Sequence, residues 1–131
     1  MLAEERKALS KVRFEKAQEN LVAAKNLVSS GDYKIASGRA YYAVFHAMRS
    51  VLALESIDMK HHSGVIAEFR RLYIKTGKFE NTLSKTISEL FDARTDSDYD
   101  DFYVISKSDT EAFIGKAEYF LEKVQEFLSQ Q

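Results

Sequence analysis

No proline interrupts this chain anywhere in its 131 residues, and that absence does most to limit what it can fold into. Proline stops or kinks helices, so a chain without it, with only five glycines and no cysteine, is free to run in long helices and needs neither disulfide nor thiolate metal site. The apolar residues recur to match. Phe14, Ala17, Leu21, Ala24 and Val28 fall at alternating steps of three and four, the stripe of a helix packed on one side. A first helix is expected from about Glu4 to Ser29, ended by Ser29-Ser30-Gly31.

Asp32 is placed to cap a second helix reaching about Glu55, with a seam of small residues (Ala36, Ala40, Ala43, Ala47) beside a bulky one (Tyr41, Phe45, Met48, Leu52). A helix apolar over so much of its circumference belongs at the centre. A linker, Ser56 to His62, leads to a short third helix from about Ser63 to Lys75, and a fourth begins near Asn81 and runs toward Tyr99. The loop Asp98 to Tyr103 is acidic and aromatic together, which predicts that it packs against something. Ser108 with Glu111 reads as a capping box opening the last helix, where Phe113, Ala117, Phe120, Val124 and Phe127 repeat in a near-heptad. The expected fold class is all-α, a five-helix up-and-down bundle forming one domain over residues 1–131.

A formal net charge of −1 gives no global field toward nucleic acid or anionic lipid, so any such binding must be local. The N-terminus lacks a signal-like apolar run and no stretch is long enough to span a bilayer, so the expectation is a cytoplasmic protein that leaves membranes alone.

Chemistry is concentrated in few places. Along the second helix Ile35, Arg39, Tyr42, His46 and Arg49 fall within roughly 80° of arc, which continues the inward stripe in polar residues. Arg39 and His46 are seven residues apart, about two turns, and so share a face. A guanidinium holds phosphate bidentately and keeps its proton, whereas an imidazole titrates near neutrality, so the pairing suits phosphate chemistry. The same residues also fit a structural role, with Arg39 paired to a neighbouring carboxylate and His46 hydrogen-bonded in the core. In the fourth helix Arg94 follows Ile87 and Leu90 onto the inward face, and needs a carboxylate such as Asp98 or Asp101, or an incoming anion. Lys60-His61-His62-Ser63 precedes the third helix, where free N–H groups favour an anion. No Glu-x-x-His pair, glycine-rich phosphate loop or Gly-x-Ser-x-Gly nucleophile occurs. No metal or cofactor is expected.

Three segments, Arg39-Ala40-Tyr41-Tyr42-Ala43-Val44-Phe45-His46-Ala47, His62-Ser63-Gly64-Val65 and Ala93-Arg94-Thr95-Asp96-Ser97-Asp98-Tyr99-Asp100, together resemble the HEPN superfamily in order and spacing, specifically a prokaryotic branch of it. The resemblance runs from Phe14 to Phe127. It implies a five-helix bundle, often a homodimer, frequently encoded beside a minimal nucleotidyltransferase in toxin–antitoxin pairs. Many members are metal-independent ribonucleases whose signature is an Arg, an adjacent polar residue and a following His near the end of a late helix. This chain departs from that pattern: Arg94 and Thr95 supply the first half, but Ser97, Asp98 and Tyr99 stand where the His belongs. Arg39 and His46 have the spacing, yet lie in the second helix with Ala40 next to the Arg.

The functional expectation is therefore a module that binds nucleotide, RNA or a nucleotide-handling partner. Its enzyme form is a toxin-type metal-independent endoribonuclease, and the alternative is a non-catalytic dimeric scaffold partnering a minimal nucleotidyltransferase. The catalytic candidates are His46, Arg39, Arg94 and His62, and the binding candidates are Tyr42, Arg49, Asp98 and Tyr99. A homodimer is expected because the short third helix leaves apolar seam for a second copy to cover.

Overall fold

The computed structural model describes Met1–Gln131 and contains helices and no strands. Helix α1 spans Ala3–Ser29, α2 Tyr33–Ala53, α3 His62–Phe69, α4 Thr82–Tyr99 and α5 Lys107–Ser129. The all-α, five-helix reading holds, and each helix lies where its apolar period places it. Gly31 closes the α1–α2 turn at φ +82°, a left-handed conformation that suits glycine.

Helix α2 packs against all four of the others. Its alanines explain how. Ala36, Ala40, Ala43 and Ala47 are fully buried and let neighbouring backbones approach, while Tyr41, Val44, Phe45 and Met48 fill the space beyond them. One continuous core of 27 residues draws on every helix, from Phe14 and Leu21 on α1 to Phe120 and Val124 on α5. At roughly 25 cal/mol per Å² of apolar surface removed from water, that core is the dominant stabilising term.

Four details depart from the sequence reading. The third helix is not uniform: α3 passes into a wider π turn over Arg70–Ile74, closed by Lys75 N–H donating to Arg70 C=O. There Arg70 donates to the Ser84 hydroxyl and carbonyl at 2.9 Å and to the Ser88 hydroxyl at 2.7 Å, tying the turn to α4. The cap of α5 is Ser106, whose Oγ accepts from Asp109 N–H at 3.0 Å, two residues before the expected Ser108. Both serines have an acid three residues on, and Ile105, buried just ahead of the helix, fixes the earlier start. Ile35 is 59% exposed, so the polar strip of α2 lies on the flank of the buried face and not at its centre. Finally, the α4–α5 loop packs only through its later residues, Tyr103 partly buried and Ile105 buried, while Tyr99 is 82% and Phe102 92% exposed. Asp100 closes that turn on itself, its carboxylate accepting from Phe102 N–H and its carbonyl from Tyr103 N–H, and the Phe102 ring is left in solvent.

No helix is long and apolar enough to cross a membrane.

Candidate functional site

The flank of α2 carries a cluster of rings into which cations reach from other helices. Tyr41 is fully buried, and its ring meets those of Tyr42, Phe45, His62 and Phe91 at centroid distances of 5.4 to 6.1 Å. His62, the first residue of α3, stacks on Phe45 at 4.3 Å with 15° between the planes. The Tyr41 hydroxyl sits 2.7 Å from His62 Nδ1. Burial raises the Tyr41 phenol above its usual range, and burial with the nearby Arg94 charge lowers the His62 imidazole. Both are therefore neutral near pH 7, and the hydroxyl and Nδ1 share one hydrogen bond. His62 is held by its partner and its stacking, while His61 stays exposed.

Tyr42 is the pivot of the polar part. Arg39 lies over its ring at 5.1 Å and Arg94 at 5.5 Å, both within cation–π range. Arg94 also donates to the Tyr42 hydroxyl at 3.1 Å and pairs through Nε with Asp98 at 3.0 Å. The helix α4 thus adds a guanidinium to the Phe91 ring through which it meets α2. Arg39 is exposed and donates to Asn20 Oδ1 of α1 at 3.2 Å, a neutral partner that leaves its charge uncompensated. One turn beyond Tyr42 stands His46, ring to ring at 6.3 Å. Its Nδ1 is buried with no hydrogen-bond partner. Burial first, then the charges of Lys16, Arg49, Arg13 and His62, push its pKa from 6.5 down to about 4. At neutral pH the ring is uncharged.

An open cleft of about 460 Å³ runs between α1 and α2 here, lined by Lys16, Glu19, Asn20, Ala23, Arg39, Tyr42 and His46. It has the parts for an anion: two cations, a phenol and a neutral imidazole, against one carboxylate. No group of three or more His, Cys, Asp or Glu side chains converges as metal ligands would.

Of the residues singled out in the sequence, the structure brings together Arg39, Tyr42, His46, His62, Arg94 and Asp98. Arg49 lies at the far edge of the cluster, over the Phe45 ring at 5.9 Å and paired with Asp58 at 3.2 Å, and Tyr99 ends α4 with its ring in solvent. The sequence reading missed Tyr41, Lys16, Asn20, Arg13 and Asp58. Arg13 had a signal, since it shares the α1 stripe with Ala17 and Ala24, where an arginine needs a partner.

Known proteins of similar sequence align with nearly all of this architecture. The family model of the HEPN domain matches residues 10–127. A Methanocaldococcus jannaschii protein named "Putative toxin MJ0142" is 35% identical over 88% of this chain and 78% of its own length. A second from that organism, "Putative toxin MJ0605", is 32% identical over 89% of this chain and 87% of its own. A "UPF0332 protein" of Thermotoga maritima is 32% identical over 86% of each chain. With the family's match reaching from the first third of α1 to the last turn of α5, the chain belongs to the HEPN domain family.

Proposed function

We propose that this HEPN domain acts as a toxin-type module over residues 1–131, binding the phosphates of single-stranded RNA in the α1–α2 cleft and cleaving it without metal. The observation that carries the reading is the neutral, unpartnered imidazole of His46 beside Tyr42, whose ring holds two guanidiniums. The toxin names of two relatives support the same direction.

In this reading Arg39 and Lys16 hold the scissile phosphate and His46 takes the proton of the neighbouring ribose 2′-hydroxyl. The 2′-oxygen attacks phosphorus and the bond to the 5′-oxygen breaks. A 2′,3′-cyclic phosphate and a 5′-hydroxyl end result, the leaving oxygen being protonated by the Tyr42 hydroxyl or water. Arg94 and Asp98 orient Tyr42, and His62 with Tyr41 keeps the ring cluster in place. A homodimer and a minimal nucleotidyltransferase partner complete the reading as the family resemblance implies them.

The test is cleavage of end-labelled single-stranded RNA in chelator, with the product ends identified. Cyclic-phosphate ends, with at least a hundredfold loss in folded His46→Ala and Arg39→Ala, support it. RNA binding without cleavage reduces the reading to a binding module. Absence of both leaves the non-catalytic scaffold, toward which the closed Arg94–Asp98 pair already leans.

A further inference from the structure

Beyond His46, away from Arg39, a second group of charges is built into the same flank. Arg13 of α1 is only 8% exposed, and Arg49 of α2 is half-buried. Both address one oxygen: Asp58 Oδ1 accepts from Arg13 at 2.6 Å and from Arg49 at 3.2 Å. Two cations thus share one carboxylate, and the trio keeps a net positive charge. Neither guanidinium is satisfied, for Arg13 NH1 and Arg49 Nε are buried with no hydrogen-bond partner. Their fixed donors form forks that a carboxylate meeting them through one atom cannot fill. A phosphate, with more oxygens and more charge, fills them better.

The carboxylate is also the movable part. Asp58 lies in the connection between α2 and α3, two residues after Ser56 at φ +58°, and its side chain is 49% exposed. Water takes it readily, whereas Arg13 and Arg49 are anchored on packed helices.

From this arrangement, and resting on the reading that the cleft takes RNA, we infer that Arg13 and Arg49 form a second phosphate subsite which Asp58 occupies as an internal anion until the strand displaces it. Arg39 and Arg49 are ten residues apart on α2, about 15 Å along the axis, with His46 between them. A single strand crossing the flank then places one phosphate at Arg39 and another at Arg13 and Arg49. His46 faces the stretch between. Burial does most to hold the imidazole neutral in the free protein, and the positive charges of Lys16, Arg49 and Arg13 that add to it are the ones an incoming phosphate offsets.

The experiment uses the full chain with two probes: a fluorescent single-stranded RNA 10-mer, titrated at several salt concentrations, and inorganic pyrophosphate, read by thermal shift. Asp58→Asn removes the internal anion but keeps its shape. It is expected to tighten RNA binding at least threefold with little change in the logarithmic salt dependence, because the strand no longer has to displace a carboxylate but contacts the same phosphates. Arg49→Ala, which does not depend on freeing the site, is expected to weaken binding and flatten that slope by about 0.7, the increment for one phosphate contact on a single strand. RNA affinity left unchanged in folded Asp58→Asn, or affinity and slope left unchanged in folded Arg49→Ala, overturn the inference. If RNA binding needs Arg39 but ignores both variants, the RNA reading stands and the subsite falls. If RNA never binds, while pyrophosphate stabilises Asp58→Asn more than the parent, the subsite stands and the RNA reading falls. Should Asp58→Asn not fold, Arg49→Ala alone decides.

Discussion

The molecule holds two clusters of aromatic rings, and they differ in what is mixed with the rings. One joins Phe69, Tyr73, Phe79, Phe120 and Phe127, with centroids 5.0 to 6.0 Å apart. It contains no histidine and no arginine; its polar tip is the Tyr73 hydroxyl, raised by burial and by Glu55, and Lys78 touches it from outside. The other joins Tyr41, Tyr42, Phe45, His46, His62 and Phe91 at 4.3 to 6.3 Å, and takes in Arg39, Arg49 and Arg94. Ring packing is equally close in both. The first cluster therefore demonstrates that this fold closes around aromatics without imidazoles or guanidiniums. In the second, His62 is itself part of the packing, stacked on Phe45 and bonded to Tyr41, whereas Arg39 and the unpartnered His46 are not called for by packing, and they are the structural ground for proposing a function there.

The comparison breaks most visibly under truncation. Phe120→Ala removes a fully buried ring packed on Phe69 in the apolar cluster and should cost about 3–5 kcal/mol by denaturant unfolding. Phe120→Asp, which adds an unpaired buried charge, should abolish folding. A loss under about 1 kcal/mol for the alanine variant would mean that the first cluster is not the rigid reference it is taken to be.

The next effect is a pH dependence confined to the polar cluster. An unfolded imidazole titrates at 6.5, and His46 in the fold at about 4. Its contribution is thus fully present above pH 6.5, is lost as pH falls from there to about 4, and levels off below. The size is on the order of 2 kcal/mol after discounting for the open cleft beside it. His62 shifts in the same direction, so His46→Gln should remove part of the acid-side slope and leave a remainder. Equal slopes in parent and variant between pH 4 and 6.5 would contradict the burial assigned to His46.

The smallest effect belongs to Arg94. Its partner Asp98 is about half exposed, so water receives the carboxylate when the guanidinium goes. Arg94→Ala should cost about 1 kcal/mol, mostly the lost bond to Tyr42, with about 0.5 kcal/mol of coupling to Asp98→Ala in a double-mutant cycle. A loss of several kcal/mol would make Arg94 a buried structural pair instead.

Much of this was legible in the sequence because helices write their packing as a period. The α1 stripe from Phe14 to Val28, the alanine seam of α2 and the α5 repeat each predicted the face that is buried. The common face of Arg39, Tyr42 and His46 was legible for the same reason. The errors fall where period gives way to local competition. Ser106 and Ser108 offer the same capping pattern, the π turn at Arg70–Ile74 leaves no compositional mark, and Ile35 sits at the edge of a stripe whose width no spacing specifies. Asp58 was beyond reach, since its bond to Arg13 joins residues 45 apart in sequence and depends on how a loop returns.

The central claim is that His46 lines an anion site, and its own titration tests that most directly. Nuclear magnetic resonance of the imidazole protons across pH should give a pKa near 4 in the free protein, as burial and the surrounding cations require. Saturation with a short single-stranded RNA should move it upward toward neutrality, because a bound phosphate favours the protonated ring, and Arg39→Ala should blunt that rise. A pKa near 6.5 in the free protein, or one that RNA at saturation leaves unmoved, would contradict the account.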